Sequence, residues 1–230
     1  MNRIKTAFSK GKAFIPFFTC GDPDLETTEQ LVLAAAEAGA DLIELGIPFS
    51  DPTAEGPVIQ GANMRALAGG VTTDLIFGLV RRLREQIPDV VITSDVIVGF
   101  PGETTEEFEE TLSLIEEVRF DALFTFIYSP RVGTPAASMP DPMSREEKLA
   151  NFNRLTALQD AISEEKHAAY IGKTVRCLVD GLSDDSRYDL TARTPGNRLV
   201  RVVGDKSAMG QFKEVKITGA NKWSLFGELE

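Results

Sequence analysis

Apolar and polar positions follow two different periods along this chain, and the change of period divides it. Four short apolar runs, Lys12–Thr19, Asp41–Ile47, Val90–Phe100 and Ala122–Tyr128, are closed by Gly21-Asp22-Pro23, Pro48, Pro101-Gly102 and Ser129-Pro130, so they read as strands followed by turns. Helical spacing fills the gaps. Leu31, Ala34, Ala35 and Ala38 follow a Thr27–Gln30 capping-box pattern, and Val58 to Leu67 forms a short helix ended by Gly69-Gly70. Ile76, Phe77, Val80 and Leu83 mark a helix with Arg81, Arg82 and Arg84 on its outside. Phe108, Leu112 and Ile115 follow a Thr104–Glu107 capping box, and Leu149, Phe152, Leu155, Leu158 and Ile162 follow a Ser144–Glu147 box. Strand and helix thus alternate four times up to about residue 166, which predicts parallel strands with crossover helices.

From Ile171 the period becomes two. TVRCLVDG, YDLTAR, NRLVRVVG, QFKEVKIT and SLFGEL are short strands separated by glycines, which predicts a compact antiparallel β-barrel. The expected fold class is therefore α/β: a partial, half TIM-type barrel of about four βα units followed by a small antiparallel β-barrel. Four parallel strands cannot close a ring of eight, so the first part is expected to leave apolar edges and to form a homodimer through the incomplete barrel, or to be poorly soluble.

Composition narrows the function classes. A net charge of −11 argues against indiscriminate nucleic-acid binding, but the charge is uneven: about −3 over residues 1–86, about −10 over 87–164 and about +2 over 165–230. The final third escapes the acidity of the middle. Cys20 and Cys177 are far apart, so no disulfide framework and no metal-ligand spacing of Cys or His is present. The apolar run near the start is too short for a signal or a membrane span, and a cytoplasmic protein is the expectation.

Candidate chemistry concentrates in Asp41 to Gln60. Leu42, Glu44 and Gly46 share one strand face, which places a carboxylate in an apolar strand, and Asp51 and Glu55 lie in the rigid loop that follows. In βα architectures the ends of strands carry the active site. Asp51 reads as a turn residue, and Glu55 as either a binding acid or a solvated loop acid. On the third strand and its exit loop, Asp95, Gly99 and Glu103 either meet a ligand or serve the turn and the helix N-terminus. Arg131 reads as a surface residue and His167 as a surface or hinge residue. In the β module, Arg176, Arg193, Arg198, Arg201, Lys213, Lys216 and Lys222 interleave with Tyr188, Phe212 and Trp223, either as a solvated face or as an RNA-binding mixture of cations and stacking rings.

Two resemblances follow from these residues. KAFIPFFTCGDP, AGADLIELGIPFSDPTAEGPVIQGANMRAL and GGVTTD resemble the N-terminal part of the tryptophan synthase alpha subunit. That family is a TIM barrel cleaving indole-3-glycerol phosphate to indole and glyceraldehyde 3-phosphate. The resemblance puts its general acid/base on Glu44 and its second acid on Glu55, where the family more usually shows Asp; the family's phosphate-gripping loops have no counterpart after residue 90. LVRRLREQIPDVVITSDVIVGFPGETTEEFEETL, FDALFTFIYSPRVGTPA and the closing β module instead resemble the C-terminal part of radical-SAM tRNA methylthiotransferases, ending in a TRAM domain, an OB-like RNA-binding appendage. This implies S-adenosylmethionine contacts at Asp95, Gly99 and Glu103, and RNA contacts on the β module. The family's CxxxCxxC motif is missing, so no iron–sulfur cluster and no metal is expected.

The expected organisation is a chimera: 1–78 tryptophan synthase alpha-like βα units, 79–168 radical-SAM-like βα units, and 169–230 a TRAM-like module, with a seam inside the helix at residues 74–82. Three functions compete: a tRNA- or RNA-binding methylthiotransferase fragment, a lyase using Glu44, and a chimera without function.

Overall fold

The structure is a computed structural model that describes residues 12–50, 55–87 and 90–230. Asp51 lies outside the described residues. Two parallel strand pairs come first. Strand β1 (Phe17–Thr19) pairs with β2 (Glu44–Gly46), and β3 (Thr93–Val98) pairs with β4 (Ala122–Ile127). Their helices are α1 (Leu25–Glu37), α2 (Pro57–Ala68), α3 (Thr73–Gln86), α4 (Thr105–Val118) and the 24-residue α5 (Arg145–Ala168). The four βα units are present, but their strands form two two-stranded sheets rather than one layer.

Helix starts follow local hydrogen bonding. The boxes at Thr104–Glu107 and Ser144–Glu147 form in both directions, satisfying backbone donors at each N-terminus. The Thr27–Gln30 box does not form. The Asp24 carboxylate caps α1 instead by accepting from Thr27 N at 2.7 Å, so this helix begins earlier than the sequence pattern suggests.

Helix α3, which contains the expected seam, belongs to both halves. Ile76, Leu79 and Leu83 fill a core with Cys20, Val32, Ile43 and Leu45, while Phe77 and Val80 pack against a second core of Val98, Phe108, Ile115, Leu155 and Ile162. Its arginines reach outward in both directions. Arg82 pairs with Glu29 of α1 at 2.7 Å, Arg81 pairs with Glu117 of α4, and Arg84 donates to the carbonyls of Val118 and Arg119 at the end of α4. The expected outward basic face is therefore a double seam of ion pairs and a helix C-cap.

The opposite faces of both sheets are uncovered. Phe17, Leu42 and Glu44 are exposed on the first, and Ile97, Phe124 (61% exposed) and Phe126 (54%) on the second. This is the open interior face that four strands leave behind.

The remaining strands, β5 (Thr174–Leu182), β6 (Leu190–Arg193), β7 (Leu199–Val203), β8 (Phe212–Ala220) and β9 (Leu225–Leu229), close into a barrel in the order β5-β6-β7-β9-β8. One contact, β7 with β9, is parallel. A closed ring of five strands cannot alternate direction throughout, so closure itself requires the exception to the expected antiparallel pattern. Alternate residues Cys177, Val179, Leu190, Ala192, Val200, Val202, Val215, Ile217 and Leu225 point inward and are fully or almost fully buried.

Candidate functional site

Three places carry the sequence-derived residues. The first is the face of β1–β2. Glu44 stands opposite Phe17 in the parallel register and is exposed beside Leu42, with its backbone N–H donating to Pro16 O at 2.9 Å. Among the described residues nothing encloses this carboxylate, although its strand is apolar. Glu55 is exposed ahead of α2, its carbonyl accepting from Gln60 Nε2.

The second lies beyond the C-terminal ends of β3 and β4. Glu103 folds back to accept from Gly99 N at 2.6 Å, and burial holds its carboxyl above the usual carboxylate range. Gly99 adopts φ +72°, and a Cβ there would lie 2.6 Å from Lys148 Cγ. The space over this glycine is thus filled by the stem of Lys148, a buried α5 residue whose ammonium pairs with Asp141 and lies 5.5 Å from the Tyr128 ring centre. Asp95 is exposed on the open face of β3, four residues upstream, opposite Phe124. The structure brings Gly99 and Glu103 together and leaves Asp95 apart. Lys148 and Tyr128, whose buried hydroxyl lacks a hydrogen-bond partner, are the residues missed by sequence reasoning. An aromatic ladder links this region to the loop after β2: Tyr128 meets Phe100 edge-on at 5.1 Å, and Phe100 meets Phe49 at 5.4 Å.

An iron–sulfur cluster does not fit this chain, whose two cysteines sit in separate cores. Burial pushes the Cys20 thiol up to about 11 and the Cys177 thiol up to about 12, opposite to what a thiolate ligand needs. Among the described residues no group of three His, Cys, Asp or Glu is placed to hold a metal, and no helix is long and apolar enough to cross a membrane. For S-adenosylmethionine, the two residues brought together here are already engaged by Lys148 and by each other.

The third place is the barrel, where ion pairing sorts the basic residues. Arg193 pairs with Asp180 at 3.0 Å and Arg201 with Asp184, both within the barrel. Arg198 and Lys222 pair with acids outside it, Asp121 at 2.7 Å and Asp160 at 2.6 Å. Lys216 Nζ donates to Gly172 O at 2.8 Å. Arg176 stacks over Phe212 at 5.1 Å, and neither Arg176 nor Lys213 has a carboxylate partner among the described residues. Tyr188 stacks on Phe226 at 5.3 Å, while Trp223 is 65% exposed with Lys222 Nζ 4.7 Å from its ring centre. Arg131 is exposed.

The barrel is docked against the N-terminal ends of β3 and β4. Asp121, just ahead of β4, accepts from Ile92 N, Lys166 Nζ and Arg198 Nη2, while Gly196 sits against Val91. His167 is buried here rather than on the surface, its Nδ1 donating to Asn221 O at 2.6 Å. Desolvation lowers its pKa, as it lowers that of Lys166 beside it. The Gly99–Glu103–Tyr128 region lies at the opposite end of the six-residue strands, about 20 Å away at about 3.3 Å per residue.

Comparison with known proteins gives two family matches, the first of which runs well past the expected seam at residues 74–82. The family described as "Tryptophan synthase alpha chain" matches residues 4–119, and that described as "TRAM domain" matches residues 168–229. The tRNA-2-methylthio-N(6)-dimethylallyladenosine synthase of Bacillus cereus (strain B4264) is 48% identical over 175 residues, covering 75% of this chain and 34% of the relative. That of Thermoanaerobacter sp. (strain X514) is 46% identical, covering 75% of this chain and 37% of the relative. The chain thus spans about a third of the length of these curated relatives. A tryptophan synthase complex from Pyrococcus furiosus is 32% identical, covering 48% of this chain and 44% of that one, with a TM-score of 0.40. Because 175 residues do not fit beyond residue 119, the two similarities overlap in the middle of the chain. Through its N-terminal half the chain belongs to the tryptophan synthase alpha chain family, and it is a chimera that runs on into sequence similar to those tRNA-modifying synthases and ends in a TRAM domain.

Proposed function

We propose that this chain binds RNA, with tRNA as the class, through its C-terminal barrel, and that it carries out neither parental reaction. The observation that supports this is the TRAM match over a closed barrel that presents Trp223 beside Lys222 and Arg176 stacked on Phe212. Such pairs of ring and cation suit stacked bases and phosphates. The binding is weak and salt-sensitive, because several of the cations are already paired and residues 87–164 are acidic. A filter assay with an anticodon stem-loop at low and moderate salt tests it: salt-dependent retention is expected, and none at low salt overturns the reading. Methylthio transfer is not part of this reading, because the cysteines of the chain cannot hold the cluster. The protein works in the cytoplasm as a homodimer joined through the open sheet faces, and a monomer in sedimentation at micromolar concentration overturns that part.

One observation favours a second reading, a lyase of the tryptophan synthase alpha type. The family match covers both Glu44 and Glu55, and Glu44 is accessible on the open face of β2. A carboxylate there could move a proton at a substrate. Indole release from indole-3-glycerol phosphate above that of Glu44→Gln supports this reading, and equal release removes it.

A further inference from the structure

The barrel's cations differ in where their counter-charges come from. Arg193 and Arg201 are neutralised by Asp180 and Asp184 of the barrel itself, whereas Arg198 and Lys222 are neutralised by the βα part of the chain. Arg198 lies in the β6–β7 turn and Lys222 in the β8–β9 turn, so two loops at one end of the barrel meet α5 and the segment ahead of β4. Each accepting carboxylate sits at the distance a phosphate oxygen takes from a guanidinium or an ammonium. This end also carries the exposed indole of Trp223, and Tyr170 with Arg198 and Lys173 both over its ring. Cations and rings suited to an RNA strand are therefore gathered on the end of the barrel that faces its own acids.

We infer that Asp160 and Asp121 occupy phosphate positions at the RNA-facing end of the barrel, so that the docked arrangement is the low-affinity state of the RNA-binding module. This rests on the RNA-binding reading. A carboxylate tethered in the same chain competes at high effective concentration, and RNA must displace it before Lys222 or Arg198 can neutralise a phosphate. His167 with Asn221 and Gly196 against Val91 add to the docking without using charge.

Asp160 is the probe to use, because Asp121 also accepts from Ile92 N–H and its replacement would disturb the start of β3. Labelled anticodon stem-loop RNA is titrated with the full chain, its Asp160→Asn variant and a Glu164→Gln variant, at several salt concentrations. Glu164 lies on the same helix, is exposed and has no ion-pair partner among the described residues, so its substitution makes the same change in net charge without touching Lys222. Asp160→Asn is expected to bind several-fold tighter, with a log–log salt slope steeper by about 0.7 to 0.9, the value of one more phosphate contact. Glu164→Gln is expected to match the wild type, and adding Lys222→Ala to Asp160→Asn to abolish the gain. Equal tightening by Asp160→Asn and Glu164→Gln would show only bulk charge and overturn the inference. Unchanged or weaker binding by Asp160→Asn, with the wild type binding, overturns it and leaves RNA binding standing. If no variant binds at any salt, the RNA-binding reading fails and takes the inference with it.

Discussion

The C-terminal barrel and the two parallel strand pairs face the same requirement, that strand edges and apolar faces be covered, and only the barrel meets it within one chain. Five strands close on themselves, and their inward residues are almost wholly buried. The strand pairs cover one face each with helices and leave Phe17, Leu42, Ile97, Phe124 and Phe126 exposed on the other. Each pair also leaves one edge of every strand without a strand partner among the described residues. Closure makes the barrel self-sufficient, whereas the βα part is a surface awaiting cover.

The strongest way to break this comparison is by deleting matched side chains. Leu225→Ala, in the barrel core, is expected to cost about 2–5 kcal/mol because the closed ring cannot collapse around the cavity. Phe126→Ser, on the open face, is expected to change monomer stability by about 0.5 kcal/mol or less while reducing self-association. Urea unfolding and sedimentation of both variants check this, and equal destabilisation would show that the open face is covered in the monomer.

A smaller effect is expected from Gly227→Ala. A Cβ there would lie 2.5 Å from Lys216 O and 2.7 Å from Val215 Cγ1, so backbone must shift, at about 1–3 kcal/mol. Gly56, ahead of α2, has nothing within 4 Å and should tolerate the same change. Comparing the two melting temperatures sharpens the contrast in packing.

The smallest effect expected is in pH. Burial lowers the pKa of His167 below its ordinary value of 6.5, so below that pH the unfolded chain holds a proton that the folded chain does not. Stability is therefore expected to fall as pH drops below about 6.5 towards the lowered value, and to level off beneath it. Thermal melts between pH 7.5 and 5 should show the slope, and His167→Asn should flatten this part of it. If the slope persists unchanged in the variant, another group at the junction is responsible.

The barrel was legible in the sequence because strict alternation names both its strands and its inward residues, and glycine spacing names its turns. The helices were legible from their apolar spacing, and their starts were legible where a capping box forms, at Thr104 and Ser144 but not at Thr27. What local pattern does not encode is the choice of partner. Nothing in Phe17–Thr19 or Thr93–Val98 specifies that four strands settle as two separate pairs. On α5 the pattern assigns Leu149 to the core, yet Leu149 is exposed and Lys148 is buried. The reason lies across the fold: Gly99 leaves room for the lysine stem, and Asp141 neutralises its head. Long-range pairing likewise separates Arg198 from Arg176, which composition treats alike. Glu44 lies on β2 but is exposed beside Leu42, because among the described residues no further strand pairs with β1–β2 to cover that face.

The two cysteines give each half its own reporter. Cys20 is sealed in the core shared by α1 and α3, Cys177 inside the barrel, and burial suppresses the thiolate at both. An alkylating reagent can therefore reach either sulfur only when its own half opens, and the sulfur reacts at a rate set by the free energy of that opening. Mass spectrometry of the two peptides after timed labelling would read the two opening equilibria side by side in one sample, without any engineered probe.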